Sequence, residues 1–249
     1  MKIKIYVATH KKFTAPKSKL YIPIHVGSEG KEDLGYLKDN IGDNISIKNS
    51  NFCELTGLYW IWKNDKSDVV GLTHYRRYFY KNLSLLNEAY IIKVLQNKEI
   101  IIPKKHYMVK NSIKSQYINI HNEKDYILCR EIVEKKYPDY LSAFDIVFSR
   151  KWMYAYNMFI MRKKLFNKYA KWLFDILFEL EKKVDISSYD KYNSRIYGFL
   201  SERLFNVWIE KNKFLLKEED VFNVEQNISK QKVTNFIRKI FSKILFIKK

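Results

Sequence analysis

The densest chemistry in this chain lies in Gly71-Leu72-Thr73-His74-Tyr75-Arg76-Arg77-Tyr78-Phe79, directly after Val69-Val70. A short β-branched run of this kind predicts a buried strand. Ending it in a histidine and two arginines puts permanent positive charge where water is scarce, and such charge needs an anionic partner. Guanidinium groups bind phosphate oxygens in pairs and keep their charge at every physiological pH. Ligands in open α/β sheets lie beyond the carboxyl ends of the strands. Arg76 and Arg77 are therefore read as holding a diphosphate, with His74 as an added donor. The bland alternative is an ion pair with nearby carboxylates. Because successive side chains diverge on a strand, one arginine alone could reach the ligand.

A second cluster joins Arg195 to Ser201-Glu202-Arg203. Arg195 and Glu202 are two helical turns apart and share a face. Glu202 is the first candidate for a catalytic base or an acceptor-holding group, against a salt bridge with Arg195 or Arg203. Glu54 has two readings, one at a substrate and one as the N3 carboxylate of a capping box opened by Asn51. His10 and Lys11 close the first predicted strand and are read as ligand-binding. Asp43, Asn44 and Ser46 could bond a ribose or base, although Gly42-Asp43-Asn44 is equally a plain turn. Trp60 could stack on a base or a sugar, whereas Tyr59 and Trp62 fall at core spacing. Asp145 and Asp190 are further carboxylates, and His25, His106 and His121 are assigned no role.

These groups need elements to place them. Ile3 to Ala8 alternates as a first strand, and residues 13–50 are rich in turn signals. A helix after Asn51 carries Phe52, Leu55, Tyr59 and Trp62 on one stripe, and a strand from Asp68 to Leu72 delivers the arginines. Helical spacing continues over Ser84 to Asn97, over Tyr117 to Lys136 and from Leu165 to Leu180, with a last core helix from Ser194 to Ile209. Ile100 to Ile102 and Asn157 to Met161 read as buried strands. Alternation of this sort predicts an α/β domain.

Composition narrows the class. The 249 residues are 47% hydrophobic, enough for one sizeable core. Only 7 glycines and 4 prolines argue against a Gly-rich phosphate loop, a β-sandwich or a disordered chain. Two distant cysteines, Cys53 and Cys129, have no metal-ligand spacing and suit a reduced cytoplasmic protein. Neither a signal peptide nor a membrane-spanning run is visible, so a cytoplasmic location is expected. The net charge of +19 points to phosphorylated substrates, anionic lipid or nucleic acid. From Ser229 onward, Phe236, Ile237, Ile240, Phe241 and Ile244 fall at helical spacing among lysines. That is the pattern of an interfacial helix, so residues 227–249 are expected to be a basic, membrane-associating amphipathic tail behind a domain of residues 1–226.

Several stretches together resemble one family, the bacterial capsular and exopolysaccharide glycosyltransferases that contain "domain of unknown function 4422". They are Gly42 to Ser46, Glu54 to Asn64, Gly71 to Phe79, Tyr156 to Met161 and Arg195 to Leu204. The resemblance implies a GT-A-like single Rossmann-type nucleotide-sugar-binding domain. It implies a UDP-sugar donor, a hexose (galactofuranose in some relatives) and a lipid-linked oligosaccharide acceptor on the inner face of the cell membrane. Asn157 joins the expected substrate-binding residues with Arg195 and Arg203. Many GT-A enzymes hold Mn2+ or Mg2+ on an Asp-x-Asp triplet. No such triplet occurs here, so no metal is assigned: either protein cations, Arg76 and Arg77 first among them, replace a divalent ion such as Mn2+ or Mg2+, or ligands distant in sequence converge on one. A nucleic-acid-binding module or an inactive scaffold are the rival readings. No nucleic-acid motif appears, and no nucleic-acid partner is expected.

Overall fold

The computed structural model describes residues 1–82 and 84–225; the expected tail helix lies outside the described residues. Its strands and helices run, in chain order, β1 (Ile3–Thr9), β2 (Tyr21–His25), β3 (Leu37–Lys38), α1 (Asn49–Phe52), α2 (Leu55–Asn64), β4 (Val69–His74), β5 (Arg77–Lys81) and β6 (Ser84–Leu85). Then follow α3 (Glu88–Asn97), β7 (Ile100–Pro103), β8 (His106–Tyr107), α4 (Ile113–Ile118), α5 (Glu123–Lys136) and α6 (Leu141–Ser149). The series closes with β9 (Trp152–Met153), β10 (Phe159–Arg162), α7 (Lys163–Lys183), α8 (Ile196–Asn212) and β11 (Leu216–Asn223).

Among the described residues nine strands form one mixed sheet in the order β3-β2-β1-β4-β10-β7-β11-β5-β6. β2, β1 and β4 are parallel, so their carboxyl ends share one edge. β10 then enters antiparallel between β4 and β7. Both faces are covered. Tyr6, Ala8, Val70 and Leu72 point into a large layer with α2 and α5 to α8, while Ile3, Ile5, Val7 and Val69 face a smaller one with α3. Burial on both faces explains why these strands read as near-continuous apolar runs. α7 shows the helical half of the same logic. Phe166, Tyr169, Leu173, Ile176, Leu177 and Leu180 are buried along one stripe, and Lys182 and Lys183 end the helix where its dipole favours cations.

Several expected boundaries move, each for a local reason. The predicted capping box does not form. Asn51 Nδ2 donates to the Ser194 carbonyl at 2.9 Å, and Cys53 adopts φ 53°, breaking one helix into α1 and α2. The predicted helix over Tyr117–Lys136 is two helices, because the chain turns between them, with the Ile120 and His121 amides both donating to the Tyr117 carbonyl. In Ser84–Asn97 the first residues are a strand. The helix starts only after Asn87, whose Oδ1 accepts the Tyr90 amide at 2.9 Å. β5, β11 and α6 were absent from the sequence reading; β5 and β11 pair with one another, a non-local contact that local pattern does not announce.

Candidate active site

The arginine motif is a hairpin rather than a strand end. His74 and Arg77 face each other across β4 and β5, with Tyr75 and Arg76 as the two-residue turn. The turn cancels the alternation that would separate the two arginines, and both line one cleft. The Arg77 guanidinium lies over the Tyr156 ring at 4.4 Å, and among the described residues it has no carboxylate within 4.0 Å. Arg76 donates from Nη1 to Glu225 Oε2 at 3.1 Å, while its buried Nε has no partner.

Opposite the hairpin stands the loop before β10. Tyr156 and Asn157 have φ 77° and 50°, two successive non-glycine residues in the left-handed region. Each such residue costs about 1–3 kcal/mol and persists only where its surroundings hold it. Here they do. His74 Nε2 donates to the Tyr156 carbonyl at 2.6 Å, which leaves the other ring nitrogen unprotonated in the neutral imidazole. The Tyr156 amide donates to Glu202 Oε1. Asn157 Nδ2 donates to Glu54 Oε1 at 2.8 Å and to Ser201 Oγ at 3.0 Å. Asn157 is 2% exposed, yet its Oδ1 has no partner.

The enclosed space, about 200 Å3, is walled by Arg76, Arg77 and Arg195 and by Glu54 and Glu202. They come from the β4–β5 hairpin, the start of α2 and the start of α8. Gly198 lets α8 approach: a Cβ there would stand 3.2 Å from Cys53 Sγ. Arg195 Nε donates to that sulfur at 3.1 Å. Burial pushes the Cys53 thiol up to about 11, so it stays protonated and is no nucleophile at neutral pH.

The fold thus gathers His74, Arg76, Arg77, Glu54, Asn157, Arg195 and Glu202 into one cleft. His10 and Lys11 lie beside it. Lys11 shares with Arg76 an adjoining space of about 380 Å3 that also takes in Lys12, Phe13 and Tyr75, and the His10 ring meets the Tyr75 ring edge-on at 5.5 Å. Five other candidates sit elsewhere, each with polar groups bonded within the fold, although the buried Arg203 Nε has no partner. Asp43 accepts from the Tyr59 hydroxyl, Asn44 bonds Gly42 and Ser46 in a turn, and Ser46 donates to Asp39. Trp60 donates to the Ile41 carbonyl from within the core, and the buried Arg203 donates to the Phe199 carbonyl and to Gln116. Sequence reasoning did not pick out Tyr156, Phe199 or Gly198, whose site roles arise from strain and close approach rather than from residue type.

The two cleft carboxylates are each already bonded to protein donors. Asn157 engages Glu54, and the Tyr156 amide and Arg203 (3.6 Å) engage Glu202. Among the described residues no group of three or more His, Cys, Asp or Glu could hold a metal. We derive no step through one.

Three cations and two carboxylates thus stand together at the carboxyl edge of a mixed α/β sheet, side-chain types that can bind an anion and accept a proton. The chain belongs to the family described as Domain of unknown function (DUF4422), which matches residues 4–213. Among solved structures it is similar to apo WbbM, a bifunctional glycosyltransferase. The two are 32% identical with a TM-score of 0.80, over 90% of this chain and 45% of that one. This chain therefore spans somewhat less than half the length of that relative. A comparison with curated proteins finds no match.

Proposed function

We propose that this chain is a glycosyltransferase of GT-A-like fold that moves a hexose from a UDP-sugar to a lipid-linked saccharide in capsular or exopolysaccharide assembly. The observation that carries the reading is the convergence of Arg76, Arg77 and Arg195 with Glu54 and Glu202 on one cleft from separate parts of the chain. Likeness to part of a bifunctional glycosyltransferase supports the same reaction class.

In the transfer, the acceptor oxygen forms a bond to the anomeric carbon while the bond from that carbon to the β-phosphate oxygen breaks. The electron pair leaves on the diphosphate, and fixed guanidinium groups stabilise the growing charge without reorganising. Where configuration inverts, a carboxylate takes the acceptor's proton. Glu54 is the better base. A single neutral amide donates to it, whereas Glu202 is held by a backbone amide and by the Arg203 guanidinium and so braces the Tyr156 loop. The nucleoside lies toward Phe13 and Tyr75, across Arg76 from the cleft. Among the described residues no helix is long and apolar enough to cross a membrane. The reading therefore brings a lipid-linked acceptor to the protein at an anionic surface. The basic composition favours such contact, at about 1 kcal/mol per lysine or arginine near the lipid.

The test is product analysis by NMR. UDP-hexoses, furanose and pyranose, are incubated with the protein and octyl glycosides. Release of UDP with a new anomeric signal is expected, and no transfer from any donor, with no binding of UDP, rejects the reading.

A further inference from the structure

Beside the cleft, on the side of α8, lies a group of rings to which the donor chemistry assigns nothing. Phe199 lines the cleft wall, and the His121 ring stacks on it at 4.2 Å and 27°. Tyr192 completes the group, 5.5 Å from His121 at 18° and 5.0 Å from Phe199. His121 stacks on both partners while Tyr192 and Phe199 are tilted by 45° to each other, and three rings so close together would ordinarily be core. Here Tyr192 is 49% exposed.

The loop that presents Tyr192 is tightly built. Asp190 Oδ1 accepts the Tyr192 amide at 2.8 Å and the Asn193 amide at 2.7 Å, and Asp190 Oδ2 accepts Asn193 Nδ2 at 3.0 Å. The Ser194 amide donates to the Asp190 carbonyl, and Asn51 pins the Ser194 carbonyl from α1. His121 Nδ1 lies 3.0 Å from Asn193 Oδ1, which ties the His121 ring to the same loop. A half-exposed aromatic residue on a backbone held this firmly has little loop entropy left to lose on binding. Asp190, Asn193 and Arg195 flank it along the chain. Arg195 lies over the Phe199 ring at 5.4 Å and also lines the cleft, so shelf and cleft share a border.

We propose that the Tyr192–Phe199–His121 shelf is a saccharide-binding subsite that receives the acceptor sugar. A sugar ring has an apolar face of C–H groups, which stacks on the electron-rich face of an aromatic ring, and a hydroxyl rim, which needs polar partners in its own plane. The shelf offers both, and its border with Arg195 brings the bound hydroxyl to the carboxylates of the cleft. The acceptor role rests on the transfer reading of that cleft; saccharide binding does not.

Saturation-transfer NMR and titration with octyl β-D-glucoside, galactoside and mannoside, with UDP present, test the subsite. Wild-type protein should saturate the sugar-ring protons of at least one glycoside. Tyr192→Ala should weaken that binding by about fivefold to tenfold, Tyr192→Phe should retain it, and UDP affinity should stay within about twofold in both. Should the alanine variant lose UDP as well, Tyr192→Leu decides, since it keeps bulk without a π face: retained glycoside affinity there overturns the subsite. So do unchanged affinity in Tyr192→Ala, no glycoside binding at all, or saturation confined to the octyl chain. Tyr192-dependent binding of an oligothymidylate with no glycoside binding would make the shelf a base-stacking platform and end the proposal. Failure of UDP to bind, with Tyr192-dependent glycoside binding intact, would sink the donor reading and leave the shelf standing.

Discussion

The arginine cleft and the groove beside α3 make an instructive pair. The groove is the larger, about 670 Å3 against about 200 Å3, and it too is basic, with Lys81, Lys93, Lys98 and Lys217 around it. Its cations are lysines, and one wall residue, Asn82, is itself left-handed at φ 48°. Lys81 donates to the Tyr90 hydroxyl, and Lys217 lies 3.6 Å from Glu219. The cleft has planar guanidinium groups, facing carboxylates, a buried amide oxygen without a partner and two strained residues at its centre. Volume and charge do not separate the two in favour of the cleft. Facing guanidinium and carboxylate groups and unpartnered buried polar atoms do, because a fold rarely leaves a buried polar group unpaired.

That contrast can be broken by mutation. The largest effect is expected from Glu54→Gln, which removes the base while keeping the shape. Its kcat for transfer should fall about 10²–10⁴-fold, with UDP affinity within about twofold. A full-rate Glu54→Gln enzyme beside a dead Glu202→Gln enzyme would reverse the roles given to the two carboxylates. Next comes Arg77→Ala. Losing a charge-assisted hydrogen bond of about 1.5–3 kcal/mol should weaken UDP about 10–100-fold by calorimetry, whereas Lys93→Ala in the groove should change it less than about twofold. Equal losses in both would erase the distinction between the two regions.

The smallest effect concerns the cleft's thiol. Cys53 has an ordinary value of 9.0 and is raised by burial to about 11. Below pH 9 both folded and unfolded chains hold that proton, and the contribution to stability is complete. As pH climbs from about 9 to 11, the unfolded chain releases the proton first, so stability falls. Melting temperature measured from pH 8 to 11 should therefore drop less steeply in Cys53→Ser than in the wild type. Identical slopes would mean that the thiol is not buried as described.

Much of this was legible in the residues. Alternation located β1, and short apolar runs located β4, β7 and β10, because those strands are largely buried on both faces. The double arginine was visible because charge beside a buried strand is rare. Glu54 was ambiguous, since a capping box and a cleft carboxylate look alike along the chain. The left-handed Cys53 settled it by turning α2 away from Asn51. Trp60 offered a stacking surface in sequence, yet its indole N–H found the Ile41 carbonyl inside the fold.

Residue types and local periodicity by themselves determined the α/β class, the two-sided burial of the central strands and the presence of unusual charge at one strand's end. These depend on side chains within a few positions of each other, and such interactions are written along the chain. Tertiary structure alone decided which charges meet. The hairpin that turns Arg76 and Arg77 to one side is local, but the bonds that complete the cleft, from His74 to the Tyr156 carbonyl and from Asn157 to Glu54, join residues 82 and 103 positions apart. Closing loops of that length is an entropic cost that only the packed sheet and helices offset, and no local pattern records it.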